Sequence, residues 1–177
     1  MKKALTIRLT DKTHQPLPCG DIMGVHHVSW QSTASGVEDE YIHAAAMAWL
    51  VGDDELVEIE RMNSYHGSPI HVVRAEIKSR SKATKSLSRL GTEALAKLKN
   101  ELDTRMDESN VIHIRLDLLD LLAGKVTLTV PGERTTIKGR AKLEVYPGDV
   151  VDEVASITLD KAIDESQRLG FPKKPKG

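Results

Sequence analysis

Leu5, Ile7 and Leu9 alternate with Thr6, Arg8 and Thr10. A period of two predicts a half-buried strand. Residues 13–24 hold Pro16, Pro18, Gly20 and Gly24 and read as a loop. A short strand is predicted over 25–31, although His26-His27 blurs its alternation. Residues 41–51 are apolar almost throughout and allow two readings. Gly52-Asp53 suits a tight turn after a strand. Four signals favour a helix instead: Ser35 with Glu38 as a capping box, acids Glu38, Asp39 and Glu40 in the first turn, four alanines, and Gly52 as a stop. The balance predicts a helix. Residues 55–62 and 69–78 then read as an antiparallel pair, joined by the turn formers of 63–68. In the second strand His71, Val73, Ala75 and Ile77 share one face, while Ile70, Val72, Arg74, Glu76 and Lys78 share the other.

Leu87, Leu90, Ala94, Leu98, Leu102 and Met106 recur at steps of three and four. That stripe predicts one long amphipathic helix over 83–106. Gly91 inside it costs about 1 kcal/mol relative to alanine and points to close packing. A strand is predicted over 111–116, then a short helix of Leu118, Leu119, Leu121 and Leu122 closed by Gly124. Val126, Leu128 and Val130 alternate with threonines as a strand. After the Pro131-Gly132 turn a second strand runs through Ile137, Ala141, Leu143 and Val145, with Gly139 read as a bulge. Pro147-Gly148 turns again, and residues 150–157 read as a further strand. Leu159, Ala162, Ile163 and Leu169 line a last helix, stopped by Gly170 with Pro172 beyond. The expected fold is α+β: an antiparallel or mixed sheet packed against one long amphipathic helix plus two or three shorter helices. Residues 1–170 are expected to form one such domain, followed by a short basic tail, 171–177.

A length of 177 residues suits that expectation, and 40% hydrophobic with 29% charged residues excludes a mainly disordered chain. Aromatics are only 3%, too few for a base-stacking or sugar-binding platform. The single Cys19 excludes an internal disulfide and a zinc site with two cysteines. Arg8 interrupts the apolar run after Met1-Lys2-Lys3, so no signal peptide is read, and the apolar stretch 41–52 falls short of the ~20 residues of a spanning helix. A soluble, cytoplasmic protein without membrane contact is expected.

Net charge is −1, from 25 Lys plus Arg against 26 Asp plus Glu. The charges are segregated nonetheless. Glu38, Asp39, Glu40, Asp53, Asp54, Glu55, Glu58 and Glu60 occupy 38–60 without a Lys or Arg. Lys78, Arg80, Lys82, Lys85 and Arg89 occupy 78–89 without an acid. Lys82, Lys85 and Arg89 fall at the start of the predicted long helix, against its macrodipole. An anion at that end would relieve the conflict, and so would the acidic segment folding against it. A second basic cluster is Arg134, Lys138, Arg140 and Lys142, of which the last three share one strand face. Such a row can track a nucleic-acid backbone or protect a sheet edge.

Seven histidines include no HExxH, and neither GxSxG, a P-loop nor GxGxxG is present. No metal site is predicted from histidine. Glu76-Ile77-Lys78 places an acid and a lysine on one strand face, and a turn centred on Tyr65-His66 pairs Asp54 near position 77. Two carboxylates and a lysine can hold Mg²⁺ and activate a water for phosphodiester cleavage. VVRAEIKSR at 72–80 resembles the ExK strand of the PD-(D/E)xK nucleases. That resemblance implies a Mg²⁺-dependent nuclease with Asp54, Glu76 and Lys78 as catalytic residues and Glu40 as a further acid; it departs from the pattern where Gly52-Asp53 stands for Pro-Asp. The residues as a whole favour a non-catalytic binding or assembly module without a cofactor. Its expected partners are nucleic acid, a phosphate-bearing ligand, or other copies of itself. Lys82, Lys85, Arg89, Lys138, Arg140 and Lys142 are the candidate anion contacts. The alternatives are the nuclease and a small anionic-ligand binder.

Overall fold

The computed structural model describes residues 24–132 and 134–172. The expected strand at Leu5 to Leu9, the loop carrying Cys19 and most of the basic tail lie outside the described residues. Strand β1 (Val25–Ser35) turns Val28, Trp30, Ser32 and Ala34 inward and exposes Gln31 and Thr33 between them. Its register shifts between Val25 and His27, which accounts for the blurred alternation at the two histidines. Helix α1 (Glu40–Val51) forms as expected and stops at Gly52, whose φ is 73°. Asp39 rather than Ser35 is its cap, accepting from the Tyr41 N–H; Glu38 still reaches back to the Ser35 N–H, one turn before the helix.

A short 3-10 turn at 54–56 leads into β2 (Val57–Asn63), which pairs antiparallel with β3 (Pro69–Ile77). Helices α2 (Arg80–Ser88), α3 (Thr92–Asn100) and the single turn α4 (Leu102–Arg105) follow. Strand β4 (Val111–Asp117) runs into α5 (Leu118–Leu122), and β5 (Thr136–Leu143) precedes α6 (Val151–Leu169). The five strands form one antiparallel sheet in the order β2-β3-β1-β5-β4. Helices α1 and α2 lie on one face of it, and α6 packs over α2 and α3. The fold is α+β, as expected. None of the described helices is long and apolar enough to cross a membrane.

Trp30 is at the centre of the core. Its Nε1–H donates to Ser86 Oγ at 2.9 Å, and that hydroxyl donates on to the Leu50 carbonyl at 2.7 Å, tying β1, α2 and α1 together. Gly139 faces the Trp30 ring, and a Cβ there would sit 2.7 Å from Cε3. The expected bulge at Gly139 is therefore corrected. The residue keeps regular register opposite both Trp30 and Ile114, and its missing side chain makes room for the indole.

Three further expectations are overturned. The helix expected over 83–106 breaks at Gly91, whose φ of 86° ends one helix and begins the next. The stripe survives the break because Leu87, Leu90, Ala94 and Leu98 from both pieces enter the same core. A Cβ on Gly91 would meet Pro172 Cδ at 2.6 Å. The strand expected over 150–157 is the first half of α6. Val154, Ala155, Thr158, Leu159 and Ala162 are its buried stripe, while Val150 and Ile157 are exposed. Residues 126–130 are not a strand of the sheet. Leu128 makes a single bridge to Leu116, and the neighbouring backbone covers the outer edge of β4.

Candidate nucleic-acid interface

The sheet face opposite the helices is open. Pairing registers place its side chains in two rows across the strands. One row reads Glu76, Ser29, Arg140 and His113, from β3 to β4. The next reads Glu58, Arg74, Gln31, Lys138 and Arg115, from β2 to β4. Lys142 lies opposite His27 at the end of β5. The face thus runs from an acidic edge to a basic edge. Because β5 lies between β1 and β4, its cations do not protect a sheet edge.

Pairing separates the two halves further. Arg74 meets Glu60 at 3.3 Å and Lys78 meets Glu76 at 3.8 Å, so the β2–β3 half is neutralised within itself. Among the described residues, Arg115, Lys138 and Arg140 form no ion pair with an acid. Lys142 donates to the Ser109 carbonyl. Burial lowers the pKa of His27, and the neighbouring His26, Lys142 and Arg140 add to the effect against Glu76. His27 therefore stays neutral where cations crowd it. Arg134 is held from behind by Asp117, 3.2 Å from its Nη1. The Asp117 carboxyl lies below the usual carboxylate range because it accepts the Asp120 N–H, and then because of Arg134.

Three hollows open along this face. The first, about 640 Å³, contains Glu55, Glu58 and Glu76 beside Arg74, Lys78, Lys138 and Arg140. The second runs past the β4 edge and includes Arg105, His113, Arg115, Lys138 and Arg140. The third, about 580 Å³, is lined by Gln31, Thr33, Arg115, Arg134, Thr136 and Lys138 among others. Lys138 borders all three.

The two expected basic clusters do not share a surface. Lys82 and Lys85 stand on α2 and Arg89 caps its C-terminal end, all on the helical side. Lys82 reaches Asp53 at 3.7 Å, so the acidic segment does fold against this end. Arg89 turns inward: its Nη1 donates to the Trp49 carbonyl at 3.0 Å, and the guanidinium lies 5.0 Å from the centre of the Phe171 ring. Lys85 is exposed. The expected nuclease trio is not gathered either. Glu76 and Lys78 line the first hollow, but Asp54 sits in the 3-10 turn and does not border it. The register pairs Val57 with Ala75, and continued back it would set position 54 opposite 78, near the expected 77; the 3-10 turn takes Asp54 out of the strand instead. No three His, Cys, Asp or Glu side chains among the described residues come close enough to hold a metal ion.

Arg115 and the polar row Ser29, Gln31 and Thr33 escaped the sequence reading. Alternation in 111–116 does put His113 and Arg115 on one face, and that signal was legible. What the chain alone does not show is that β1 and β4 flank β5.

A family model described as RNA binding matches residues 28–143, more than half of the chain. A solved DUF54 protein from Methanothermobacter thermautotrophicus is 28% identical, with a TM-score of 0.63; the match covers 78% of this chain and 98% of that one. A DUF54 protein from Archaeglobus fulgidus is 26% identical, with a TM-score of 0.60 and coverage of 77% and 98%. A UPF0201 protein from Methanococcus jannaschii shares the fold at 15% identity, with a TM-score of 0.53 and coverage of 77% and 98%. No curated protein matches the chain significantly.

Proposed function

The chain belongs to the RNA-binding family, and from that premise we propose that it binds RNA, without cleaving it, on the open face of its sheet. The observation that carries the reading is the row Lys138, Arg140 and Lys142 on the solvent side of an interior strand, with two of the three cations unpaired. Alternate residues on one strand face are roughly 7 Å apart. Three cations at that spacing suit a phosphate backbone lying along β5. The only Phe, Tyr or Trp in the five strands is Trp30, which is buried on the other side. Base stacking on this face therefore has no Phe, Tyr or Trp platform. Contact falls to phosphates and ribose hydroxyls, the groups through which structured RNA is read by shape. Glu58 on β2, without an ion pair among the described residues, repels phosphate and favours the β5–β4 half as the footprint.

Fluorescence anisotropy of a labelled RNA hairpin against the protein, across a salt series, tests this. Three phosphate contacts give a slope of log affinity against log salt of about −2 to −3. Absence of binding at low salt, or binding indifferent to salt, overturns the reading.

A further inference from the structure

The third hollow differs from the other two in charge. The first contains three glutamates and the second contains Glu101, whereas no acid lines the third among the described residues. Arg115, Arg134 and Lys138 surround it, with Gln31, Thr33 and Thr136 as hydrogen-bonding walls. We infer that this cavity takes a phosphomonoester group, the end group of a 5′- or 3′-phosphorylated RNA. The inference rests on the RNA reading for its source of ligand, and on the cavity alone for its chemistry.

Charge decides between an internal and a terminal phosphate. A phosphodiester carries one negative charge, while a monoester carries about −1.5 to −2 at neutral pH and three acceptor oxygens. Three cations, of which Arg134 is shared with Asp117, and no lining acid among the described residues match the second better. Arg134 is also positioned in advance. Asp117 is 1% exposed, accepts the Asp120 N–H at 2.9 Å and takes one N–H of the guanidinium. Four of the five guanidinium donors are left, in the planar fork that suits phosphate oxygens. Arg115 adds a cation with no ion pair of its own among the described residues.

Place in the fold agrees with charge. The cavity lies where β1 ends and β5 begins, beyond Lys138, the last cation of the β5 row. An RNA strand followed along Lys142, Arg140 and Lys138 reaches this cavity at its end. The polar walls of Thr33, Thr136 and Gln31 offer donors to oxygen rather than an apolar slot for a base.

Four forms of one short RNA separate the possibilities: 5′-phosphate, 3′-phosphate, both, and hydroxyl at both ends. Anisotropy is expected to show one phosphorylated end bound about tenfold or more tightly than the hydroxyl form, the worth of added charge-assisted hydrogen bonds. Arg134→Gln erases that ratio. Arg115→Gln, which breaks no ion pair, erases it too and guards against a folding defect in the first variant. Adenosine 5′-monophosphate, titrated calorimetrically, tests a free small molecule as the source; binding lost in Arg115→Gln supports the cavity even if no RNA binds. Equal affinity for all four RNAs overturns the inference and leaves RNA binding standing. Failure of every RNA and of the nucleotide overturns both.

Discussion

Two basic clusters of similar size meet opposite fates in this fold. On α2, Lys82 meets Asp53 and Arg89 is drawn inward to the Trp49 carbonyl and the Phe171 ring, so two of the three cations are engaged. On β5, Lys138 and Arg140 face solvent without an ion pair among the described residues, and Arg115 stands beside them from β4. On the β2–β3 half of the open face two acids are already matched, Glu60 by Arg74 and Glu76 by Lys78. A cation drawn inward or matched by an acid has less to offer a partner than one left facing solvent. Local density of Lys and Arg marks where charge is made; packing decides whether it is spent inside the molecule.

The largest effect is expected from the open face. Replacing Lys138, Arg140 and Lys142 together by Gln should lower RNA affinity on the order of 100-fold and reduce the salt slope by about 2, because each phosphate contact contributes roughly 0.7 to 0.9. Anisotropy at several salt concentrations reads both quantities. Unchanged affinity would erase the distinction between the clusters.

Next comes the packing that presents that row. Gly139→Ala drives a methyl group into the Trp30 ring and is expected to destabilise the fold by about 1–3 kcal/mol or more, as overpacked cores are. A denaturant melt measures it. Arg89→Gln removes a half-buried hydrogen bond and a cation–π contact, and should cost about 1–3 kcal/mol of stability. RNA affinity should stay as it was. Loss of binding without loss of stability would instead place Arg89 among the RNA contacts.

The smallest effect is expected at Lys82 and Lys85. Their exchange for Gln should shift stability by less than about 0.5 kcal/mol, since exposed pairs contribute little. RNA affinity should fall no more than about threefold. A drop comparable to that of the β5 variant would join the two clusters into one surface after all.

Legibility followed the range of the interactions. The two faces of β3 and the stop of α1 at Gly52 could be read because they depend on neighbours within a turn or a strand, although the cap fell at Asp39 rather than Ser35. The β5 cations could also be placed on one solvated face from alternation alone. The interruption at Gly91 could not, because a stripe with period 3.6 looks the same whether one helix or two bury it in a common core. For α6 the failure was the reverse: residues 150–157 alone read as a strand, although Val154, Ala155, Thr158, Leu159 and Ala162 recur at steps of three and four across the longer stretch. The expected nuclease trio depended on a long-range pairing: Glu76 and Lys78 share one face of the β3 end, while Asp54 sits in a 3-10 turn rather than on the strand that pairs with it.

Composition, alternation and capping chemistry determined the α+β class, most element types and the exposure of the β5 row, because each depends on the residue and its near neighbours. Only the tertiary structure decided that β5 is interior, that Arg115 and Gln31 flank it, and that Lys82 and Arg89 are engaged within the molecule while Lys138 and Arg140 have no ion pair among the described residues. Strand order and ion pairing join residues far apart in the chain. Their energies depend on distances that no local pattern encodes.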